Sequence, residues 1–247
     1  MSNIELTILI PAFLTGLLVL STHGPFGREV LSRGIIFIDL AIAQIAGLGV
    51  IIAFTAGVHD GWQVQLAAAT AAIAGAVMLH QAERLWPDVQ EAVIGAAFIV
   101  ASSAGLLLIA NHPQGSEHLK EILVGQILWV DYADLIPVAV LYAVILVLRK
   151  RLGASQSRLP FYLMFALAIT ASVQLVGVYL VFASLILPAL AVFRMNTNMQ
   201  LPLAYALGAL AYLAGLVAAS WLDLPAGPMI VLVLAGITLF AMLLQKE

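Results

Sequence analysis

Apolar runs of about 20 residues recur from one end of the chain to the other, parted by short polar or basic connectors. A helix needs about 20 such residues to cross roughly 30 Å of hydrocarbon. The alternating segments of a membrane β-barrel are not visible. The pattern predicts helical spans at residues 4–20, 34–57, 62–80, 91–110, 135–148, 201–221 and 229–244. Residues 21–34 read as a glycine- and arginine-bearing connector. Residues 122–130 are apolar but too short to cross, and read as an interfacial or re-entrant helix.

Residues 161–193 are apolar throughout, too long for one ordinary span. Either two short helices meet near Gln174 to Gly177, or one long helix lies strongly tilted. Lys and Arg favour the cytoplasmic side of a membrane, so their placement arbitrates. With the N-terminus outside and the segment split, Arg28, Arg33, Arg84, Arg149, Lys150, Arg151, Arg158, Arg194 and Lys246 share one side. Lys120 alone falls on the other, nine against one. Left unsplit, Arg194 and Lys246 change sides and the count falls to seven against three. The split arrangement is expected, in an all-α polytopic membrane protein of about 8–9 transmembrane helices.

Composition narrows the class. The chain is 63% hydrophobic and 9% charged, against about 25% charged residues in soluble domains. The spans use up nearly all of the 247 residues, so one transmembrane domain over 1–247 is expected, without a soluble one. No Gly-x-x-x-x-Gly-Lys-Ser/Thr sequence is present, so nucleotide chemistry must come from another polypeptide. Cysteine is absent, which excludes disulfides and thiolate metal sites. The start MSNIELTILIPAF lacks a basic n-region and reads as a first span, not a cleaved signal. Nothing resembles a catalytic triad or a pair of catalytic carboxylates, so an enzyme is not expected. Nor does any basic, aromatic surface suggest nucleic acid.

The polar residues inside spans are the candidates for function. Asp39 is expected about five residues into the second span, where an ionised carboxylate is costly unless it faces other helices or water. It could belong to an ion path, cap its helix or pair with Arg28 or Arg33, or simply lie at the interface. Gln44, five residues on, is off the stripe of Asp39 and could be a helix–helix hydrogen bond or a ligand. Glu91 opens the fourth span, where an acid ordinarily complements the helix dipole. Ser102 and Ser103 can bond back to their own helix. Gln174 sits in the long apolar segment and is expected to line a cavity or an interface. The histidines His23, His59, His80, His112 and His118 fall in loops or at span ends, with no pair at helical spacing inside a span. His112, Glu117 and His118 share one external loop, which could meet a metal or simply be solvated.

Several stretches together resemble one family, the membrane permeases of ABC transporters for zinc, manganese and iron. The connector GPFGREVLSRG followed by FIDLAIAQ is similar to that family's glycine-rich entry to a helix bearing an acid and then a histidine. EAVIGAAFIVASSAGLLL resembles its acid-x-x-x-Gly helix, and EHLKEILVGQILWV its short piece before the fifth span. ASVQLVGVYLVFASLILPALAVFR carries the most specific likeness, a Val-Gly run leading to Pro-Ala and a basic residue, and LDLPAGPMIVL resembles the family's Asp-x-Pro-x-Gly-Pro turn before the last helix. The resemblance implies an ABC importer-type permease bundle in a bacterial inner membrane. It implies a second copy of the chain, a cytoplasmic ATP-binding subunit and, in importers, a periplasmic or surface metal-binding protein.

Carried over by residue, Asp39 matches the family acid, and the family histidine falls at or beside Gln44. An amide is a weaker, harder ligand than imidazole. Asp39, Gln44, Glu91 and Gln174 are the expected metal pathway, with Asp223, His112 and His118 near the external mouth. The cytoplasmic connector at 149–160 is shorter than in typical members, where it carries a helix touching the ATPase. Its Arg149, Lys150, Arg151 and Arg158 are the expected contacts. The expected function is a permease subunit of an ATP-driven transporter with a divalent metal, zinc or manganese, as substrate. ATP would stay on the partner, with no permanently bound cofactor. A stand-alone proton-coupled carrier of a small cation is the alternative, although such carriers usually place several acids or histidines at the midplane.

Overall fold

The computed structural model describes residues 3–58, 61–109, 123–152 and 158–245, with side chains from residue 7 onward. The described residues form α1 (Asn3–Arg33), α2 (Ile38–Thr55), α3 (Gly61–Leu85), α4 (Gln90–Ile109), α5 (Tyr132–Leu152), α6 (Arg158–Ala191), α7 (Thr197–Leu222) and α8 (Ala226–Leu244). Short 3-10 turns at Pro87–Val89 and Ile127–Trp129 precede α4 and α5. All eight helices are long and apolar enough to cross a membrane. No strand occurs among the described residues.

The long apolar segment breaks where the sequence places the break. Gly177 has φ 79° and ψ 162°, outside helical space, in the middle of α6. The two halves lie side by side. Phe26 of α1 packs its ring 5.9 Å from that of Phe161, while its neighbour Gly27 abuts the carbonyl of Leu185. A straight helix would separate Phe161 from Leu185 by about 36 Å at 1.5 Å per residue. The chain therefore turns back at Gly177, and both ends of α6 reach the basic end of the bundle. This fold-back gives the charge arrangement that the split predicts.

The connector expected at 21–34 is instead, up to Arg33, the last two-fifths of α1. Pro25 has no N–H for the Ser21 carbonyl, which would leave that acceptor bare. The Tyr205 hydroxyl of α7 donates to it at 3.1 Å. Phe26 and Val30 are buried, so packing holds helical a stretch whose composition reads as a linker. α1 then ends at Gly34, φ 71°, with Ile35 N–H donating back to the Val30 carbonyl, a common glycine-terminated helix end.

α6 is the centre of the bundle and packs against α1, α2, α3 and α8. Its Tyr162, Phe165, Ile169, Val176 and Leu180 are wholly buried. At the far periphery, α5 buries just Tyr142 and Ile145. The Tyr142 hydroxyl bonds with Ser172 of α6. The Tyr212 hydroxyl and Ser184 Oγ lie 2.7 Å apart, tying α7 to α6. Buried hydroxyls need such partners, and inside a membrane they fasten helices together. The apolar piece near 122–130 does not cross. Its described part is a turn whose Gly125 lies against Gly177.

Candidate functional site

The start of α2 is built by two acids. Because residues 34–37 turn and α2 begins at Ile38, Asp39 stands in the first helical turn. It is not five residues deep. Asp39 is 1% exposed, and neither of its carboxyl oxygens has a hydrogen-bond partner among the described residues. Pairing with Arg28 or Arg33 does not occur. Arg33 bonds to Glu29 at 2.6 Å and lies 4.2 Å over the Phe161 ring. Glu91, in the first turn of α4, reaches across to α2: the Phe37 N–H donates to its Oε1 at 3.2 Å. Glu91 thus stands in the first turn of its own helix, as expected, and also caps another.

Gln44 is half-buried on a separate face of α2. With Leu40, Phe98, Ser102, Tyr179 and Phe182 it lines a cavity of about 580 Å³ between α2, α4 and the second half of α6. Gln174 faces another cavity, of about 650 Å³, between the outer halves of α2, α3 and the first half of α6. The four expected pathway residues are therefore not gathered in one place within a single chain. Asp39 and Glu91 share the α2 start, and Gln44 and Gln174 line different cavities. Among the described residues no group of three or more His, Asp or Glu side chains could hold a metal ion.

At the basic end, Arg149 is turned inward. It bonds to Glu29 at 2.6 Å, donates to the Pro25 carbonyl at 3.2 Å and lies 4.9 Å over Phe26. Its role is to fasten the end of α5 to α1. Lys150 and Arg151 are exposed, and Arg158, also largely exposed, stands 3.6 Å from Glu83. A groove of about 410 Å³ opens beside them, lined by Arg28, Glu29, Arg149, Phe193 and Gln200 among others.

At the opposite end, Asp223 closes α7 in a left-handed conformation, φ 52° and ψ 47°. The Leu224 N–H donates to the Ala219 carbonyl beside it. Asp tolerates that conformation better than most residues, so Asp223 is a turn residue, exposed at this end. His112 and His118, with Glu117, lie outside the described residues, as do His59 and residues 153–157 of the connector. Sequence reasoning missed Gln65 and Gln126, which face the same cavities as Gln174. Each is an isolated amide near a span end, and no periodic signal marks it.

The comparisons with known proteins agree with this architecture. The ABC 3 transport family matches residues 5–152 and 150–245. A "Probable metal transport system membrane protein" of Chlamydia pneumoniae is 24% identical over 268 residues, covering 99% of this chain and 91% of that protein. Another, from Chlamydia trachomatis serovar D, is 22% identical over 263 residues, with 97% and 90% covered. PsaBC from Streptococcus pneumoniae, solved in complex with Fab, includes a chain that superposes with a TM-score of 0.73 at 24% identity. That likeness covers 95% of this chain and 90% of the other, and it shows the fold. By the span of its family match, the chain belongs to the ABC 3 transport family.

Proposed function

We propose that the chain is the permease subunit of an ATP-driven importer of divalent metal ions, zinc or manganese, in a bacterial inner membrane. Two copies would enclose the path, with ATP hydrolysed on separate cytoplasmic subunits and metal delivered by an external binding protein. The observation that carries the reading is Asp39: a buried carboxyl group in a membrane helix, with neither oxygen partnered among the described residues. An isolated charged group in such a place costs a few kcal/mol, and acids retained there characteristically serve ion pathways. Family membership supports the transport role, and the words "metal transport system" in the description of the two chlamydial relatives support a metal as cargo.

In this reading Asp39 is the metal's contact and Glu91 positions it by holding the start of α2. The exposed Lys150, Arg151 and Arg158 offer charge to the ATPase, while Arg149 acts inside the bundle. The test is reconstitution with a candidate ATP-binding subunit from the same organism, followed by ATP-dependent uptake of zinc and manganese measured side by side. Uptake of one metal, dependent on ATP, is expected. Uptake driven by a proton gradient without any ATPase would replace this reading with the carrier alternative.

A further inference from the structure

The cavity of about 650 Å³ descends along the outer half of α2 from Phe54 to Ala46, eight residues or about 12 Å of helix. Gln65, Gln126 and Gln174 line it, and all three also line an adjoining cavity of about 420 Å³. They come from three separate elements: α3, the turn before α5 and the first half of α6. The contact between Gly125 and Gly177 brings two of them together, since Gln126 follows one glycine and Gln174 precedes the other by three residues.

Exposed amides on a lipid-facing surface cost several kcal/mol apiece. Convergence of three on one cavity gives an otherwise apolar lining a polar side that water or an ion can meet. Deeper in the same cavity stands Thr170, 5% exposed, whose Oγ1 has no hydrogen-bond partner among the described residues. Among the described residues no acid lines this cavity, and Asp134 lines the adjoining one. The donors that line it are amide and hydroxyl oxygens, neutral and hard, which suit hard divalent cations that keep part of their water.

We propose that Gln65, Gln126, Gln174 and Thr170 form an outer vestibule site for a hydrated divalent cation, upstream of Asp39. The proposal deepens the permease reading and rests on it. Neutral donors hold the ion weakly enough to release it inward, and the hydration that they tolerate makes manganese a better occupant than zinc.

The test is Mn²⁺ binding to the purified full chain in detergent, read from the EPR signal of free Mn²⁺. An Asp39→Asn background removes the inner carboxylate. Binding in that background is expected, weakened about tenfold or more when Gln65→Leu, Gln126→Leu and Gln174→Leu are combined. Gln174→Glu adds charge without bulk and should tighten binding about tenfold, which keeps the test decisive if the triple variant does not fold. Three results would each overturn the site: no Mn²⁺ binding at millimolar metal in Asp39→Asn, unchanged binding in a well-folded triple variant, or unchanged affinity in Gln174→Glu. Failure of the permease reading looks different. There, binding would respond to the glutamines while the reconstituted wild type takes up no metal at all.

Discussion

Gly125 and Gly177 meet backbone to backbone, both at positive φ, 70° and 79°. A Cβ on either would overlap the main chain of the other. Each position therefore requires glycine twice over, for its conformation and for its contact. The pair locks the tip of the α6 fold-back to the turn before α5, at the cavity where Gln126 and Gln174 stand.

Gly177→Ala should accordingly destabilise the bundle. Holding a non-glycine residue in that backbone conformation costs about 1–3 kcal/mol, and overlap with Gly125 adds to it. Thermal unfolding of the purified protein in detergent should show a clear drop for Gly177→Ala and for Gly125→Ala. Because the two share one contact, the double variant should lose less than the sum. Unchanged melting of either single variant would contradict the contact.

Tyr205 and Pro25 should be coupled as well, through one carbonyl. Tyr205→Phe leaves the half-buried Ser21 carbonyl without its donor, a loss of about 1 kcal/mol. Pro25→Ala restores a main-chain N–H four residues along, so Tyr205→Phe should cost far less in the Pro25→Ala background. A double-mutant cycle on thermal stability measures the difference.

The basic end separates structural from exposed charge. Arg149→Ala removes the ion pair to Glu29 and the bond to the Pro25 carbonyl, and should destabilise the fold by about 1–3 kcal/mol. Lys150→Ala and Arg151→Ala should leave melting unchanged but weaken co-purification of the ATPase subunit. Equal melting of all three variants would place Arg149 among the exposed charges.

Glu91 caps α2 from another helix, so its loss should be felt at the start of α2. Glu91→Ala should lower stability by about 1 kcal/mol, the usual worth of a cap. Glu91→Gln, which keeps an acceptor for the Phe37 N–H, should lose less. Hydrogen exchange at Phe37 reports the cap directly and should speed up in Glu91→Ala.

Most of this architecture is legible in the sequence because membrane spans are written in long apolar runs. The fold-back of α6 was decided by where Arg194 and Lys246 would fall, and Gly177 marks it. The end of α1 was not legible. Gly24, Pro25 and Gly27 have the composition of a linker, yet here the glycines admit Tyr205 and the Leu185 carbonyl against the helix. That stretch is helical because of partners about 160 to 180 residues away, which no local pattern records. The same holds for the site. Asp39 stands out as an acid within an apolar run, whereas Gln65 and Gln126 gain meaning only from the segments that fold against them. Glu91 was visible as a helix-start acid, but not as a cap for α2.

The central claim is that Asp39 lies on the transport path, and uptake by Asp39→Asn tests it most directly. This variant keeps the side-chain shape and removes the charge. The reconstituted complex should lose ATP-dependent metal uptake by at least tenfold while the chain still folds, pairs and binds its ATPase. Normal uptake in a well-folded Asp39→Asn complex would contradict the account.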